Sequence, residues 1–191
     1  PVISSAASDV YKRQDNIPLN PLTKGQLWIS HYPGKRDIGN KAIQAEMDLL
    51  ELKKRKIDIV ASLLERKELA SLQIANLFEL IKKHNFSHYY FPIKDKSVPK
   101  NKVQLHRFLD NLCDEIQKDK NILIHCNAGL GRSGLIAALL CKKLGIVEEP
   151  ISFIRQYRPG AIETREQEKL ISSLDLVLKL LFFNIINKLN S

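Results

Sequence analysis

Short apolar runs bounded by glycine, proline or asparagine alternate along this chain with longer stretches in which apolar residues recur every three or four positions. The short runs lie at Gln26–Ser30, Asp58–Leu64, Ser87–Pro92 and Asn121–His125. Their length and their β-branched and aromatic content predict strands. The stretches between them, Lys41–Arg55, Leu69–His84 and Asn101–Lys118, have helical spacing, as in Leu105, Leu109 and Leu112. After residue 130 three more helices are expected, at Ser133–Leu144, Glu149–Tyr157 and Thr164–Leu189. Gly145 would close the first of these as its C′ residue. Strands alternating with helices of this length specify an α/β fold: a central, mostly parallel sheet flanked by helices on both faces. No internal repeat is visible, and 191 residues suit one domain with a proper core.

The two ends depart from this pattern. Pro1–Gln14 has no apolar periodicity and no initiator methionine, and is expected to be non-native or disordered sequence outside the fold. Residues 15–191 are expected to form the single domain, ending in an apolar helix at about 164–189. Within it, Leu174–Leu189 is apolar on several faces but short and interrupted by Lys179, so no transmembrane span is expected. Core packing is the expectation for this run, and a partner or interfacial surface the alternative.

The segment from Ile122 to Gly134, Ile-Leu-Ile-His-Cys-Asn-Ala-Gly-Leu-Gly-Arg-Ser-Gly, carries chemistry as well as fold. Cys126 ends a strand, Arg132 begins a helix six residues later, and Gly129 and Gly131 lie between. Glycines let a backbone turn sharply and approach a ligand. A loop of this kind can point its N–H groups inward as an anion nest, and the helix N-terminus adds partial positive charge. Asn127, Ala128, Gly129, Leu130 and Gly131, together with Arg132, are therefore expected to cradle a phosphate dianion above a thiol. The planar guanidinium of Arg132 can hold two phosphate oxygens at once. The same groups favour the thiolate of Cys126, the form that attacks phosphorus to give a cysteinyl-phosphate. Ser133 is placed to hydrogen-bond the sulfur and help it leave, and His125 to tie down loop carbonyls. A buried structural cysteine in a glycine-rich turn is the bland alternative, and the complete string argues against it.

Thiolate attack leaves a poor leaving group unless an acid protonates it. Asp95 follows the apolar run His88–Pro92 on a short loop closed by Pro99, where an acid can reach over a neighbouring site. Taken alone, Asp95 would be an ordinary turn aspartate.

These residues resemble the cysteine-dependent protein phosphatases, whose signature is His-Cys, five residues, then Arg-Ser or Arg-Thr. It is complete here from His125 to Ser133. Low-molecular-weight phosphatases use a similar loop near the N-terminus, whereas this one lies about two-thirds along the chain. Pro92-Ile93-Lys94-Asp95-Lys96-Ser97-Val98-Pro99 is similar to the acid loop of the dual-specificity type. Arg158-Pro159-Gly160-Ala161-Ile162-Glu163-Thr164 is similar to a further segment of that family, which usually reads Arg-Pro-Gly-Ala-Ile-Gln-Thr with a later glutamine. The resemblance matches that later glutamine to Gln167 and implies that it orients the hydrolytic water. Thr164 would also serve as a helix N-cap. Glu163 departs from the usual glutamine, and a carboxylate beside a dianion is unfavourable, so Glu163 is expected not to touch substrate. Leu27-Trp28-Ile29-Ser30-His31-Tyr32-Pro33-Gly34, Ile59–Glu65 and Glu68-Leu69 resemble cyclin-dependent-kinase-associated phosphatases and their microbial relatives. The likeness runs from about Gly25 to Leu181.

The resemblance implies a cysteine-phosphatase fold of the dual-specificity type and a metal-independent protein phosphatase acting on phosphotyrosine, with phosphoserine or phosphothreonine as further candidates. Its partner would be a phosphoprotein, and no cofactor is implied. An RNA 5′-triphosphatase, a phosphoinositide phosphatase or a non-catalytic phosphate-binding relative are the alternatives. The loop Asn127–Gly131 contains none of the lysines that often mark phosphoinositide use.

Composition adds three points. Three sparse cysteines without a visible secretory signal suggest a reducing, cytoplasmic setting. Cys113 and Cys141 sit on apolar helical stretches and read as core, with a thiol that resolves Cys126 by disulfide formation as the sharper alternative. The net charge of +9, with Lys94, Lys96, Lys100 and Lys102 around the acid loop and Arg165 downstream, suggests a rim that attracts anionic substrates. A solvated lysine-rich surface is the simpler account. Nucleic acid is a disfavoured but open partner, and the five histidines lack metal-ligand spacing.

Overall fold

A computed structural model describes residues 14–19, 24–36 and 39–173. The strands β1 (Gln14–Ile17), β2 (Leu27–His31), β3 (Ile59–Ser62), β4 (Ser87–Tyr90) and β5 (Ile122–Cys126) form one sheet in the order β1-β2-β5-β3-β4. All neighbours are parallel except the β1–β2 edge pair. β5 lies at the centre, with Leu27 and Ile59 both in register with Ile122. Every residue of β5 is buried. A strand covered on both faces reads as a continuous apolar run rather than an alternating one.

Side chains on alternate sides of the strands feed two cores. Ile122, Ile124, Ile29 and Ala61 pack with α4 (Lys102–Gln117), α5 (Gly131–Lys143) and parts of α6 (Pro150–Tyr157) and α7 (Arg165–Ser173). Leu123, Val60 and Leu64 pack on the other face with α1 (Lys41–Lys54), α2 (Arg66–Ser71) and α3 (Leu77–Lys83). The α/β architecture expected from the pattern is therefore the one observed. α5 is buried from Gly131 to Lys142, because the sheet, α4, α6 and α7 surround it. Buried Lys142 donates to Ile171 O at 2.6 Å, fixing α7 against α5. Cys113 and Cys141 lie in the first core, where burial pushes each thiol up to about 12.

Two expectations need correction. β1 went unread because it is four residues long and only Ile17 is buried, so no alternation marks it. The boundary expected after Gln14 thus falls inside a strand whose Gln14 pairs with Ser30. The helix expected at Leu69–His84 is two helices. The break lies at Leu72–Asn76, where Gln73 has φ +58. Leu69, Ile74, Leu77, Leu80 and Ile81 nevertheless all enter one core, which is why the spacing looked continuous. The last expected helix is seen only as Arg165–Ser173. Its remainder, and the expectation for residues 1–13, lie outside the described residues. No helix among the described residues is long and apolar enough to cross a membrane.

Candidate active site

The loop after β5 is held from outside. Lys35 Nζ donates to Asn127 O at 3.2 Å. Arg158 donates to Ala128 O at 2.9 Å and to Gly129 O at 3.1 Å. Leu130 O accepts Gly134 N–H at 2.9 Å in the first turn of α5. In a trans peptide the carbonyl and the following N–H point in opposite directions. Carbonyls turned outward therefore turn the amides of Ala128, Gly129, Leu130 and Gly131 inward. One of these, Gly129 N–H, reaches Cys126 Sγ at 3.3 Å. Cys126 itself is 2% exposed.

Glycine is required at 129. Its φ is +71, and a Cβ there would lie 2.3 to 2.6 Å from the backbone of Ser30 and His31. β2 thus forms a wall behind the loop. Asp15 on β1 pairs with Arg158 at 2.6 Å, so the edge strand also reaches the loop through this arginine.

Arg132 is 1% exposed. Glu68 clamps it from two sides, with Nη1 to Oε2 at 2.7 Å and Nη2 to Oε1 at 3.0 Å. Ile93 O accepts from Nη1 at 3.0 Å, and Asp95 Oδ1 lies 3.0 Å from Nη2. Burial alone would favour the neutral guanidinium, but the Glu68 hydrogen bond and the surrounding negative groups hold its pKa above the usual arginine value. Glu68 Oε2 also accepts Glu65 N–H at 2.8 Å, as half of the capping box that starts α2. Arg132 Nε and Ser133 Oγ are buried without a partner in the structure. Such orphans are rare in finished interiors, and here they are spare donors in an anion-shaped loop.

Asp95 sits at the tip of the segment 91–100 and is about half exposed. Ile93 N–H bonds Leu63 O at 3.0 Å, and Ser97 N–H closes the turn on Lys94 O at 3.2 Å. Gln167 is fully buried and joins three parts of the site. Its Oε1 accepts from Glu163 N at 2.9 Å and Thr164 N at 3.3 Å, and its Nε2 donates to Ser97 O at 3.3 Å. Thr164 Oγ1 accepts Gln167 N–H at 3.2 Å, the capping contact expected of it.

His125 Nε2 meets Ser62 Oγ at 2.7 Å, and its buried Nδ1 makes no hydrogen bond in the structure. Burial pushes this histidine down to about 3, so it is neutral. Glu163 lies beside the loop. Its Oε2 lies 2.3 Å from where a Cβ on Gly131 would stand, so this carboxylate rides directly on the loop. Lys94, Lys96, Lys100 and Lys102 are exposed, as is Arg165. No group of three or more His, Cys, Asp and Glu among the described residues is arranged to hold a metal ion.

Residues 25–152 match the family model of cyclin-dependent kinase inhibitor 3 (CDKN3). The chain belongs to this family. A CDKN3 protein of Sus scrofa is 32% identical over 156 residues, covering 79% of this chain and 73% of its own. The chain spans a smaller share, 59%, of the Rattus norvegicus, Mus musculus and Homo sapiens proteins of that name. A kinase associated phosphatase with its catalytic-site cysteine changed to serine is similar in structure, with 27% identity and a TM-score of 0.73 over 81% of this chain and 88% of that one. Tk-PTP in its active form has 29% identity and a TM-score of 0.65 over 84% and 96%. Membership in the CDKN3 family places the chain among the cysteine-dependent tyrosine and dual-specificity phosphatases, as the signature implied. Asp95, Cys126 and Arg132 fall inside the CDKN3 match, while Arg158, Glu163 and Gln167 lie beyond it.

The residue pattern alone left Lys35, Glu68, Ser62, His88 and Arg158 without a role. Only Glu68 left a usable trace, the Glu65–Glu68 spacing of a capping box after an apolar strand.

Proposed function

We propose that this chain is a protein phosphatase of the dual-specificity type, hydrolysing phosphotyrosine together with phosphothreonine or phosphoserine through a cysteinyl-phosphate. The observation that carries the reading is the convergence of three groups from three elements. Cys126 lies under inward amides, Arg132 is clamped beside it, and Asp95 is 3.0 Å from that arginine. A phosphate dianion entering the loop would take the inward N–H groups, Arg132 Nε and the Nη2 donor that Asp95 faces. Displaced from the arginine, Asp95 takes up a proton from solvent and faces the leaving oxygen as the acid.

The reaction then has two displacements. The Cys126 thiolate attacks phosphorus, the P–O bond to the substrate breaks, and Asp95 protonates the departing oxygen. Amides and Arg132 hold the three equatorial oxygens throughout. Water, oriented by Gln167 and deprotonated by Asp95, attacks the cysteinyl-phosphate. The P–S bond breaks, inorganic phosphate leaves, and the Ser133 hydroxyl hydrogen-bonds the returning thiolate. The exposed lysines of the acid loop raise encounter with acidic phosphoproteins, and the sparse free cysteines suit a reducing compartment such as the cytoplasm.

The test is phosphate release from phosphotyrosine and phosphothreonine peptides without added metal. Cys126→Ser should abolish turnover, and Asp95→Asn should slow it by about 100-fold or more, within the range of general acid catalysis. A silent wild type, or an Asp95→Asn variant as fast as wild type, would refute the assignment. RNA 5′-triphosphate or phosphoinositide would then be the substrate class to assay.

A further inference from the structure

Between β4 and α4 the chain turns at Lys94–Ser97, and the segments on either side of the turn line a groove of about 310 Å³. Phe91, Pro92, Val98 and Pro99 give it an apolar lining. Lys94, Lys100 and Gln104 complete the wall and are exposed, and no acidic residue lines it. Both segments are pinned. Phe91 N–H bonds Ser62 O and Ile93 N–H bonds Leu63 O, each at 3.0 Å, while the Phe91 ring stacks on Phe108 with centroids 4.6 Å apart. Beyond the turn, Ser97 O accepts from Gln167 Nε2 at 3.3 Å, and Asn101 Oδ1 accepts Gln104 N–H at 3.0 Å to cap α4. The groove is therefore formed by the fold before anything enters it.

Charge and position both point to an occupant. Lys94, Lys96, Lys100 and Lys102 are all exposed and form no ion pair among the described residues, whereas Lys83, Lys118 and Lys143 hold the carboxylates of Glu46, Glu115 and Asp110. Four unneutralised ammonium groups around an apolar groove favour an acidic partner with an apolar side chain to bury. Ile93 lines the groove, and its carbonyl accepts from Arg132 Nη1 at 3.0 Å. Ser97 lines it too, and its carbonyl holds Gln167. The groove thus shares its wall with the candidate active site, and a chain whose phosphate occupies the loop passes within a few residues of it. Its volume lies at the lower end of the roughly 300–1,000 Å³ of small-ligand sites, which suits one or two side chains and not a folded element.

We propose that this groove is a docking subsite for the phosphoprotein: it buries an apolar side chain from an acidic stretch of the substrate beside the phosphorylated residue. The lysines hold the flanking carboxylates, and the groove takes the side chain between them. The inference rests on the protein-phosphatase reading and adds to it a preference among phosphoproteins.

The experiment has two arms. In the first, amide shifts of the nitrogen-15-labelled protein are followed on titration with the phosphate-free peptide Asp-Glu-Phe-Asp-Glu, against Asp-Glu-Ser-Asp-Glu and Lys-Lys-Phe-Lys-Lys. Shifts centred on Phe91, Val98, Lys100 and Gln104 are expected with the first peptide alone. No shifts there, or equal shifts with all three peptides, would overturn the proposal. Shifts there that follow protein concentration without peptide would give the groove to a second copy of the chain, and would overturn it as well. The second arm compares kcat/KM for peptides carrying the same five residues before or after a phosphotyrosine. Each value is divided by that of the same protein on para-nitrophenyl phosphate, which has no flanking residues. In one of the two orders the acidic phenylalanine peptide should be about 10-fold better than its serine counterpart, the effect of partly burying one aromatic side chain. Gln104→Trp, which puts an indole in the groove, should remove that advantage. Lys100→Glu should lower it about threefold and flatten its salt dependence. An advantage that survives Gln104→Trp would overturn the proposal. A wild type that hydrolyses para-nitrophenyl phosphate but no phosphopeptide would instead refute the protein-phosphatase reading, while the shifts still decide the groove.

Discussion

Arg158→Met removes two hydrogen bonds from a charged donor to Ala128 O and Gly129 O while keeping most of the apolar stem. Hydrogen bonds to charged groups contribute about 1.5–3 kcal/mol each. Arg158 keeps some solvent contact, its side chain being 12% exposed, so the lower half of that range applies. Two such bonds give roughly 3–4 kcal/mol of preference for outward carbonyls. Without that preference, peptide flips at 128 and 129 compete with the anion-binding conformation. If the released free energy goes wholly into those flips, phosphate affinity falls by about 150- to 1000-fold; partial relaxation reduces this to about 30-fold. The loss should appear equally in inorganic phosphate binding by calorimetry and in kcat/KM. Arg158→Lys, with one compact donor in place of a fork, should fall between. Asp15→Asn should cost far less, because Asp15 only steadies the arginine. The reasoning fails if Arg158→Met binds phosphate within about threefold of wild type while remaining folded, since the outward carbonyls would then need no such brace.

Gly129→Ala places a methyl 2.3 Å from Ser30 C at a φ of +71, so the loop must move and phosphate affinity should drop by about 100-fold or more, with wild-type-like binding the refuting result. His125 sets a pH dependence of stability, its pKa being near 6.5 when unfolded and about 3 when folded. Between those values the unfolded chain binds a proton that the native one does not, so stability falls on acidification by about 1.4 kcal/mol per unit at most, roughly 1 kcal/mol from pH 6 to 5. Urea unfolding at several pH values checks this, and a His125→Gln variant with an unchanged slope would contradict it. Iodoacetamide at pH 7.5 should label Cys126 alone in the native protein, because burial holds the Cys113 and Cys141 thiols near 12. For the same reason peroxide should form no Cys126 disulfide within the chain, and mass spectrometry finding one would revive the resolving-thiol alternative.

The candidate loop from Cys126 to Arg132 was legible because its parts are contiguous: a strand, two glycines, an arginine and a helix start within a dozen residues. Asp95 was legible for a related reason, being tied to a proline-bounded turn just after a strand. What orients these groups was not legible. Glu68, Lys35 and Arg158 come from other elements, and their bonds to Arg132 and the loop carbonyls depend on the order in which the strands pair. β1 escaped because a four-residue polar edge strand has no apolar signature, although its Asp15 braces Arg158. The partner of His125 could not be anticipated either. Ser62 is the last residue of a strand adjacent only in the folded sheet, in register with His125 itself. The nearness of Glu163 to Gly131 was not legible, because Gln167, four residues on, fixes the backbone at 163 and 164 and carries that carboxylate beside the loop.

A single carboxylate oxygen, Glu68 Oε2, accepts both the Glu65 amide and Arg132 Nη1. Unwinding the first turn of α2 and releasing the arginine are therefore one event. A fluctuation on the surface of the domain becomes an opening of the site, and the Glu65 amide becomes a spectator that reports it. Its hydrogen-exchange rate should track how often Arg132 is out of place. A bound oxyanion, which needs that arginine, should slow the exchange in proportion to its saturation until another route to opening takes over. The readiness of the pocket could then be followed in the resting protein, residue by residue, with no turnover.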